Sequence, residues 1–416
     1  MHPIKRWRED AGAPVDTRHV GVLDGIRALC IFIVAWYHIW QQSWLWPVLT
    51  MGGATLNLDP LVRSGYIWVD AMLLISGFLL YLPYAREMDS PLPSLPETKG
   101  FFVRRALRIL PSYWLSVFSI FFFVALPQGA YTSGAYMARD LVSHLTFTHV
   151  FAFDTYVATQ LNVVLWTLAV EVQFYLLFPL LARAFLKRPA AMYAAMVGAS
   201  FLYRGLVSVF CADTTLLVNQ LPAFFDVYAN GFLAASIFVK LSKDFRHSAY
   251  SRMLFSALSV MLLCALWRIV VRQAGAGSHE VIRLLQMRNR FSLSAVLSAF
   301  IICSANAGLL WRSLFSNRLM RYFSAVSFNF YIWHQYLAVK LREWGIPHSA
   351  SLEPNVDGEM PWQWQYTLLC FFLALAVSTV ITYAFERPIA RRGARMYEAH
   401  RTQKKQGRID RTSVGA

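Results

Sequence analysis

The amino-acid sequence predicts an all-α, polytopic integral membrane protein with about ten transmembrane helices and both termini in the cytoplasm. Hydrophobic residues make up 57% of the 416 residues, charged residues only 15%, and the mean hydropathy is +0.42. Apolar runs of about twenty residues, long enough to cross a bilayer as a helix, recur along the chain. Most of the 39 Lys and Arg lie in alternate connections between these runs, as the positive-inside tendency requires of cytoplasmic loops.

The candidate spans cover residues 26–46, 66–84, 109–127, 163–182, 190–211, 221–239, 253–271, 291–311, 323–343 and 366–385. One connection departs from the charge pattern. The segment between the seventh and eighth spans carries Arg272, Arg283, Arg288 and Arg290, which the charge rule would place in the cytoplasm. Either it is an outward amphipathic segment at the lipid headgroups, or the span count is wrong there.

The chain divides into a cytoplasmic N-terminal segment (residues 1–22), one transmembrane domain (23–392) and a basic cytoplasmic tail (393–416). We expect the tail to be partly disordered and to lie against anionic membrane lipid. The net charge of +16 does not indicate nucleic-acid binding, because the basic residues punctuate apolar segments instead of covering one domain. The five cysteines show no CxxC spacing, so neither a disulfide framework nor a metal site is predicted.

Arg27 and His38 form the most informative pair in the sequence. Eleven residues apart on a predicted helix, they return to the same face, roughly 16 Å apart along the axis. No acidic or basic residue lies between Ala28 and Leu58 other than His38. An ionisable group at such depth indicates a functional site, with a hydrogen bond to a neighbouring helix as the alternative.

Other ionisable residues fall at a comparable depth. Counted from the basic boundary of each span, His38, Glu171 and His334 share one layer, and Asp70 lies slightly further out. For Asp226 we favour a structural ion pair with Arg204 or Arg268. A buried imidazole beside a carboxylate makes an oriented base, suited to deprotonating a hydroxyl as it attacks an acyl carbonyl. A proton-coupled transporter would place similar groups at this depth, so depth alone leaves both functions open.

Arg105 and Arg108 lie just before the third span. Three residues apart at a predicted helix start, both guanidinium groups can point toward one phosphate-bearing ligand. Their alternative role is to fix topology by positive charge alone.

Six segments, taken in order, resemble the membrane-bound acyltransferase type 3 family. The matching segments are Leu-Asp-Gly-Ile-Arg-Ala-Leu from Leu23 with His38, Trp68-Val69-Asp70 with Ser76-Gly77-Phe78-Leu79, Arg105-Ala-Leu-Arg108 with Pro111 and Tyr113-Trp114, Leu165-Trp166-Thr167-Leu168-Ala169-Val170-Glu171 with Gln173-Phe174-Tyr175, Tyr331-Ile332-Trp333-His334, and Glu386-Arg387-Pro388. The resemblance runs from Leu23 to about Arg392. Val172 stands where the family often has a second acidic residue, which leaves Glu171 alone to partner a base.

This resemblance implies an enzyme of the bacterial inner membrane that takes an acyl group, most often acetyl, from cytoplasmic acyl-CoA. The acceptor would be a hydroxyl of a glycan or lipid-linked molecule, for which the connections 128–162 and 346–365 would form an outward cap. His38 is expected to be the general base with Glu171 assisting, and Arg27, Arg105 and Arg108 to bind the donor phosphates. Supporting or substrate-binding roles are expected for Asp70, Trp166, Tyr331 and His334.

Two other functions compete with this interpretation. The first is a transporter or flippase of a glycan or lipid-linked substrate, against which the sequence shows no internal repeat. The second is a non-catalytic membrane subunit that works with a separate soluble transferase.

Overall fold

The computed structural model describes residues 20–90, 94–244 and 248–414, and this part of the chain is almost entirely helical. The helices are α1 (Gly21–Ser43), α2 (Asp59–Arg63), α3 (Trp68–Ala85), α4 (Thr98–Ile120), α5 (Gly134–Leu145), α6 (Phe153–Tyr156), α7 (Trp166–Lys187), α8 (Pro189–Phe210), α9 (Phe225–Asp244), α10 (Ala249–Ala274), α11 (His279–Asn306), α12 (Leu309–Phe315), α13 (Arg318–Glu343), α14 (Met360–Val380) and α15 (Arg387–Val414). Short 3₁₀ segments cover Gly65–Ile67, His149–Phe151, Val163–Leu165 and Leu221–Phe224, and π-helical turns cover Phe121–Ala125 and Ile381–Glu386.

In the described chain, eight helices are long and apolar enough to cross a membrane, or nine if the bent pair α11–α12 counts as one span. These eight helices correspond to the first seven predicted spans and to the tenth. The bend of 114° between α11 and α12 falls within the predicted eighth span. The predicted ninth span lies on α13, a 26-residue helix that is long enough but carries several charged residues. The all-α polytopic class is therefore confirmed, with fewer purely apolar spans than the ten predicted.

The C-terminal tail corrects one expectation. We predicted partial disorder after residue 392, but α14, the π-turn and α15 form a continuous run of helix from Met360 to Val414. Close packing holds its middle in place, because a Cβ added at Gly393 would lie 2.3 Å from Leu107 Cδ2.

Close backbone contact joins α3 and α9, the most extensive helix pair in the fold. A Cβ at Gly231 would lie 2.7 Å from the Leu74 carbonyl oxygen, and one at Gly77 would lie 3.3 Å from Tyr228 Cα. Small residues at such a crossing let two helices approach until their backbones touch, which is how helices pack tightly in lipid. This pair fixes the position of α7, since Phe174 stacks on Tyr228.

Helix α1 packs mainly against α13 and also contacts α3 and α14. The side of α13 that is buried in this assembly is unusually polar, with Ser327, Asn329 and His334 all inaccessible to solvent. A polar face of this kind explains why α13 is not an apolar span: its polar groups are turned inward, toward α1 and the candidate site.

Two connections are more ordered than the sequence suggested. A small antiparallel hairpin, β1 (Val48–Met51) paired with β2 (Ala54–Asn57), follows α1 and was not predicted. The connection 128–162 folds into α5, a 3₁₀ turn and α6. Its centre is a buried carboxylate, Asp140, which accepts hydrogen bonds from Tyr131 and Thr159. His144 and His149 stack beside it with ring centroids 4.0 Å apart.

Candidate active site

Arg27 and His38 lie on one helix, as predicted, because α1 runs without a break from Gly21 to Ser43. Eleven residues at about 1.5 Å each separate them by roughly 16 Å along the axis. Both side chains are half-buried. The candidate site therefore has two ends, and each end gathers a different chemistry.

At one end lies an arginine cluster formed by Arg27, Arg105 and Arg108. Arg27 lies within electrostatic range of the other two, and all three side chains are half-buried. The Arg105 guanidinium lies 5.6 Å from the centroid of the Tyr175 ring, a cation–π distance. None of the three forms an ion pair with a carboxylate within 4.0 Å in the described part of the chain.

Glu171 adjoins this cluster from α7. One of its carboxylate oxygens, Oε1, accepts a hydrogen bond of 2.6 Å from the Ser76 hydroxyl and another from the Tyr175 hydroxyl. Its charge acts on both Arg27 and Arg105. Glu171 thus reduces the mutual repulsion of the guanidinium groups without occupying their N–H donors.

Glu386, at the end of the second π-turn, is a second carboxylate beside the cluster. It accepts a hydrogen bond of 2.6 Å from Asn329 Nδ2, and its charge acts on Arg108. Three cations therefore stand beside two carboxylates, which leaves a local excess of positive charge. Half-buried arginines with an excess of positive charge are suited to binding an anion such as phosphate.

At the other end of α1, His38 lies beside His334 of α13. Their ring centroids are 5.2 Å apart, and we refer to them as the histidine pair. His38 Nδ1 lies 3.0 Å from Gln41 Oε1, and Gln41 Nε2 donates to the Tyr37 hydroxyl. His334 Nδ1 lies 2.7 Å from the Tyr331 carbonyl oxygen. The pair joins two residues that the sequence placed in a common layer.

A small cavity lies between the arginine cluster and the histidine pair. It has a volume of about 40 Å³ and is lined by Arg27, Ile31, Val69, Met72, Leu73, Thr167, Leu168, Glu171, Ser327, Phe328 and Tyr331. Tyr331 connects it to the histidine pair, because its ring centroid lies 5.6 Å from that of His334. The cavity thus extends from Arg27 to Tyr331, the residue that contacts the histidine pair.

The expected contact between His38 and Glu171 is not present. No hydrogen bond joins them in the described chain: His38 contacts Gln41, Tyr37 and His334, whereas Glu171 contacts Ser76 and Tyr175. The reason is the register of α7 against α1: Glu171 lies at the level of Arg27, with which it lines one cavity, and not at the level of His38. Of the three residues that the sequence placed in one layer, His38 and His334 lie beside each other in the described chain.

Two other predicted residues lie outside both ends. Asp70 Oδ2 pairs with Arg290 Nε at 3.0 Å, and both side chains are essentially inaccessible. Trp166 packs between Tyr156 and Phe224.

The puzzling arginine-rich segment is also explained. Arg272 lies in the last turn of α10, whereas Arg283, Arg288 and Arg290 lie in the first part of α11. Arg290 points into the protein, where it also donates to the Val218 carbonyl oxygen at 2.9 Å. The predicted structural pair of Asp226 with Arg204 is present, with Nη1 and Oδ1 3.0 Å apart.

Several residues of the site were not singled out from the sequence. Gln41 and Tyr175 lie three and four residues after His38 and Glu171, so helical spacing was the available signal. Ser76 and Glu386 belonged to recognised segments but received no role. Among the described residues, no group of three or more His, Cys, Asp or Glu is arranged to hold a metal.

Comparison with known proteins gives a consistent picture. The chain is 23% identical over 350 residues to the putative peptidoglycan O-acetyltransferase YrhL of Bacillus subtilis (strain 168), covering 76% of this chain and 48% of that protein. It is 27% identical over 195 residues to the peptidoglycan O-acetyltransferase OatA of Listeria monocytogenes, covering 44% and 28% respectively. A putative O-acetyltransferase of Staphylococcus aureus (strain COL) is 23% identical over 356 residues, covering 76% and 50%.

The chain therefore spans about half, or less, of the length of these curated relatives. No solved structure matches it. The sequence profile of the family described as acyltransferase domain, Acyl_transf_3, matches residues 20–384. That range contains the whole of the histidine pair and the arginine cluster, and it takes in most of the chain. The protein belongs to this acyltransferase family.

Proposed function

We propose that this protein is an acyl-CoA-dependent O-acyltransferase of the bacterial inner membrane, which transfers an acyl group, in the simplest case acetyl, to a hydroxyl of a glycan or lipid-linked acceptor. The observation that carries the proposal is the division of α1 into two ends, an arginine cluster suited to phosphates and a histidine pair suited to proton transfer. The names of the relatives, O-acetyltransferases of peptidoglycan, support a glycan acceptor.

Donor binding is assigned to the arginine cluster, on the cytoplasmic side. Coenzyme A carries several phosphate charges, and the guanidinium groups of Arg27, Arg105 and Arg108 can bind them by charge-assisted hydrogen bonds. Glu171 and Glu386 keep the guanidinium groups together when the donor is absent. Glu171 thus assists by setting the charge of the donor site, in place of the direct contact with His38 expected from the sequence.

The thioester then has to reach His38. The cavity between the two ends has a volume of only about 40 Å³, too small for the thioester-bearing arm of the donor. We infer that donor binding opens this passage by moving side chains such as Met72 and Phe328, because both line the cavity and neither makes a hydrogen bond there.

His38 acts as the general base. Its Nδ1–H donates to Gln41 Oε1, which leaves Nε2 as the proton acceptor. Nε2 takes the proton of the acceptor hydroxyl as the oxygen attacks the thioester carbon. The C–S bond breaks, and the thiolate of coenzyme A receives a proton from the imidazolium.

The test is transfer of label from radiolabelled acetyl-CoA by the purified protein in lipid vesicles, with peptidoglycan fragments and other glycans as acceptors. We expect labelled ester from the wild-type protein and none from His38→Ala. His279→Ala is the matched control, since His279 is an exposed histidine at the start of α11 and should leave transfer unchanged. Full transfer by a folded His38→Ala variant would contradict the mechanism, and absence of any transfer by the wild type would favour a transporter or a partner-dependent subunit.

A further inference from the structure

His334 has one nitrogen that nothing in the described chain satisfies. The side chain is 0% exposed, and its Nδ1 lies 2.7 Å from the Tyr331 carbonyl oxygen and 3.1 Å from that of Phe330. A carbonyl oxygen can only accept, so Nδ1 carries the hydrogen and Nε2 holds a lone pair. Nε2 is buried and has no hydrogen-bond partner. Leaving a buried acceptor unpaired costs free energy, which makes this nitrogen a feature that needs explanation.

His38 is held in the same tautomer. Gln41 uses its amide nitrogen to donate to Tyr37, so its oxygen is the atom that faces His38 Nδ1. His38 Nδ1 therefore carries a hydrogen, and its Nε2 also holds a lone pair. The two rings lie 5.2 Å apart between centroids with 46° between their planes. In the neutral state, then, each of the two neighbouring rings carries a lone pair on its Nε2, and neither carries a proton there.

The surroundings offer His38 no other partner for a positive charge. Tyr37 and Gln41 contact it from α1, Tyr66 packs against Tyr37 from the turn before α3, and Tyr331 accompanies His334 on α13. No carboxylate hydrogen-bonds to either ring in the described residues. His334, whose ring centroid lies 5.2 Å from that of His38, is the neighbour whose buried acceptor nitrogen has no partner.

We propose that His334 is a positioning residue that accepts a hydrogen bond from His38 once His38 has taken the proton of the acceptor hydroxyl. This inference rests on the proposed function. The O–H bond of the acceptor breaks, and its proton forms the Nε2–H bond of His38. While the acyl C–O bond forms and the C–S bond breaks, His334 Nε2 shares that proton. The proton then passes from His38 to the departing thiolate, and both imidazoles return to the neutral state.

The same role was expected of Glu171 from the sequence. A neutral imidazole can also take this role, because its lone pair accepts a hydrogen bond from the imidazolium. With His334 as its partner, His38 does not need a carboxylate beside it, and Glu171 can serve donor binding instead.

The experiment compares His334→Ala and His334→Gln with the wild type in the acetyl-CoA transfer assay, across pH. We expect His334→Ala to lower kcat at least 10-fold with the KM for acetyl-CoA unchanged, and to move the acid limb of the kcat profile to lower pH. His334→Gln, whose side-chain oxygen can accept a hydrogen bond, should recover part of the loss. A change in KM and kcat together with an unmoved acid limb would indicate a packing role and overturn the inference.

A second measurement does not need turnover. In protein labelled with ¹⁵N-histidine, the midpoint at which His38 protonates should fall in His334→Gln less than in His334→Ala. An unchanged midpoint in both variants, measured on protein with wild-type thermal stability, also overturns the inference. The two proposals fail separately: active wild-type protein with an unaffected His334→Ala variant refutes only the role of His334, whereas wild-type protein that transfers no label refutes the proposed function.

Discussion

The carboxylate of Asp70 and the guanidinium of Arg290 meet in the interior of the protein, with Oδ2 and Nε 3.0 Å apart and 220 residues of sequence between them. Arg290 also lies 3.9 Å from the centroid of the Phe224 ring, and its Nη1 donates to a backbone carbonyl. This pair joins α3, α11 and the turn before α9. It holds together the part of the bundle on which the candidate site is built.

Removing one partner of this pair should destabilise the protein strongly, because it leaves an uncompensated charge in the interior. For Arg290→Met we expect a loss of about 3–5 kcal/mol in the free energy of unfolding. Arg288→Met is the control, since Arg288 lies two residues before Arg290 on the same helix but its side chain is exposed. Thermal unfolding in detergent measures both. The double variant Asp70→Leu with Arg290→Met should lose less free energy of unfolding than Arg290→Met alone. Equal losses would show that the Asp70 carboxylate is not the group that Arg290 stabilises.

The arginine cluster should govern donor affinity. Arg105→Ala and Arg108→Ala each remove a charge-assisted hydrogen bond, and we expect the KM for acetyl-CoA to rise about 10-fold with a smaller change in kcat. Arg104→Ala is a matched control, because Arg104 is exposed on the same helix. Steady-state kinetics at two salt concentrations test the assignment. An equal rise in KM for Arg104→Ala would mean that general positive charge, and not the cluster, attracts the donor.

Glu171→Gln separates two roles for this carboxylate. The substitution keeps the shape of the side chain near Ser76 and Tyr175 but removes the charge that acts on the arginines. We expect the KM for acetyl-CoA to change by more than kcat does. Glu280→Gln, at an exposed position of α11, serves as control. If kcat falls about 100-fold while KM is constant, Glu171 supports the base as the sequence first suggested.

Gln41 should control the tautomer of His38. In Gln41→Ala the Nδ1–H loses its acceptor, and the imidazole is free to take the other tautomer or turn away. We expect kcat to fall about 10-fold with the KM for acetyl-CoA unchanged, which corresponds to the loss of one ordinary hydrogen bond. Gln42→Ala, at the next position of α1, is the control. Unaltered kcat in Gln41→Ala would remove Gln41 from the mechanism.

The buried His149 of the connection 128–162 should make stability depend on pH. Burial, and the neighbouring His144, hold the pKa of His149 well below its ordinary value of 6.5. The unfolded chain therefore binds a proton more readily than the folded one, and stability is lost as pH falls below about 6.5. His149→Asn should weaken this dependence, seen as a smaller drop in Tm between pH 7 and pH 5. An identical drop in the variant would assign the effect to other groups.

Much of the fold could be predicted because a bilayer imposes a simple rule on sequence. A run of about twenty apolar residues has few alternatives to a spanning helix. Apolar helices such as α1, α3 and α7 could therefore be predicted from the sequence. Helix α13 shows where the rule stops: its buried polar face and terminal charges make it too polar to count as an apolar span, although it packs between α1 and α14.

The site was predictable to the extent that helical spacing fixes it. Arg27 and His38 share α1, and depth counting brought His38 and His334 to one layer. Counting cannot determine which face of α7 meets which face of α1, so Glu171 was assigned to the wrong neighbour. The partner of Asp70 lies on a helix 220 residues away and depends on tertiary packing alone.

The small volume between the two ends of α1 has a consequence for the cell. A membrane that stores energy as a proton gradient tolerates no continuous water-filled path across it, and the cavity beside Arg27 measures only about 40 Å³. We therefore expect the protein without its donor not to leak protons. If the proposed transfer joins the two faces of the membrane, a long, slender donor would itself fill the passage while the reaction takes place.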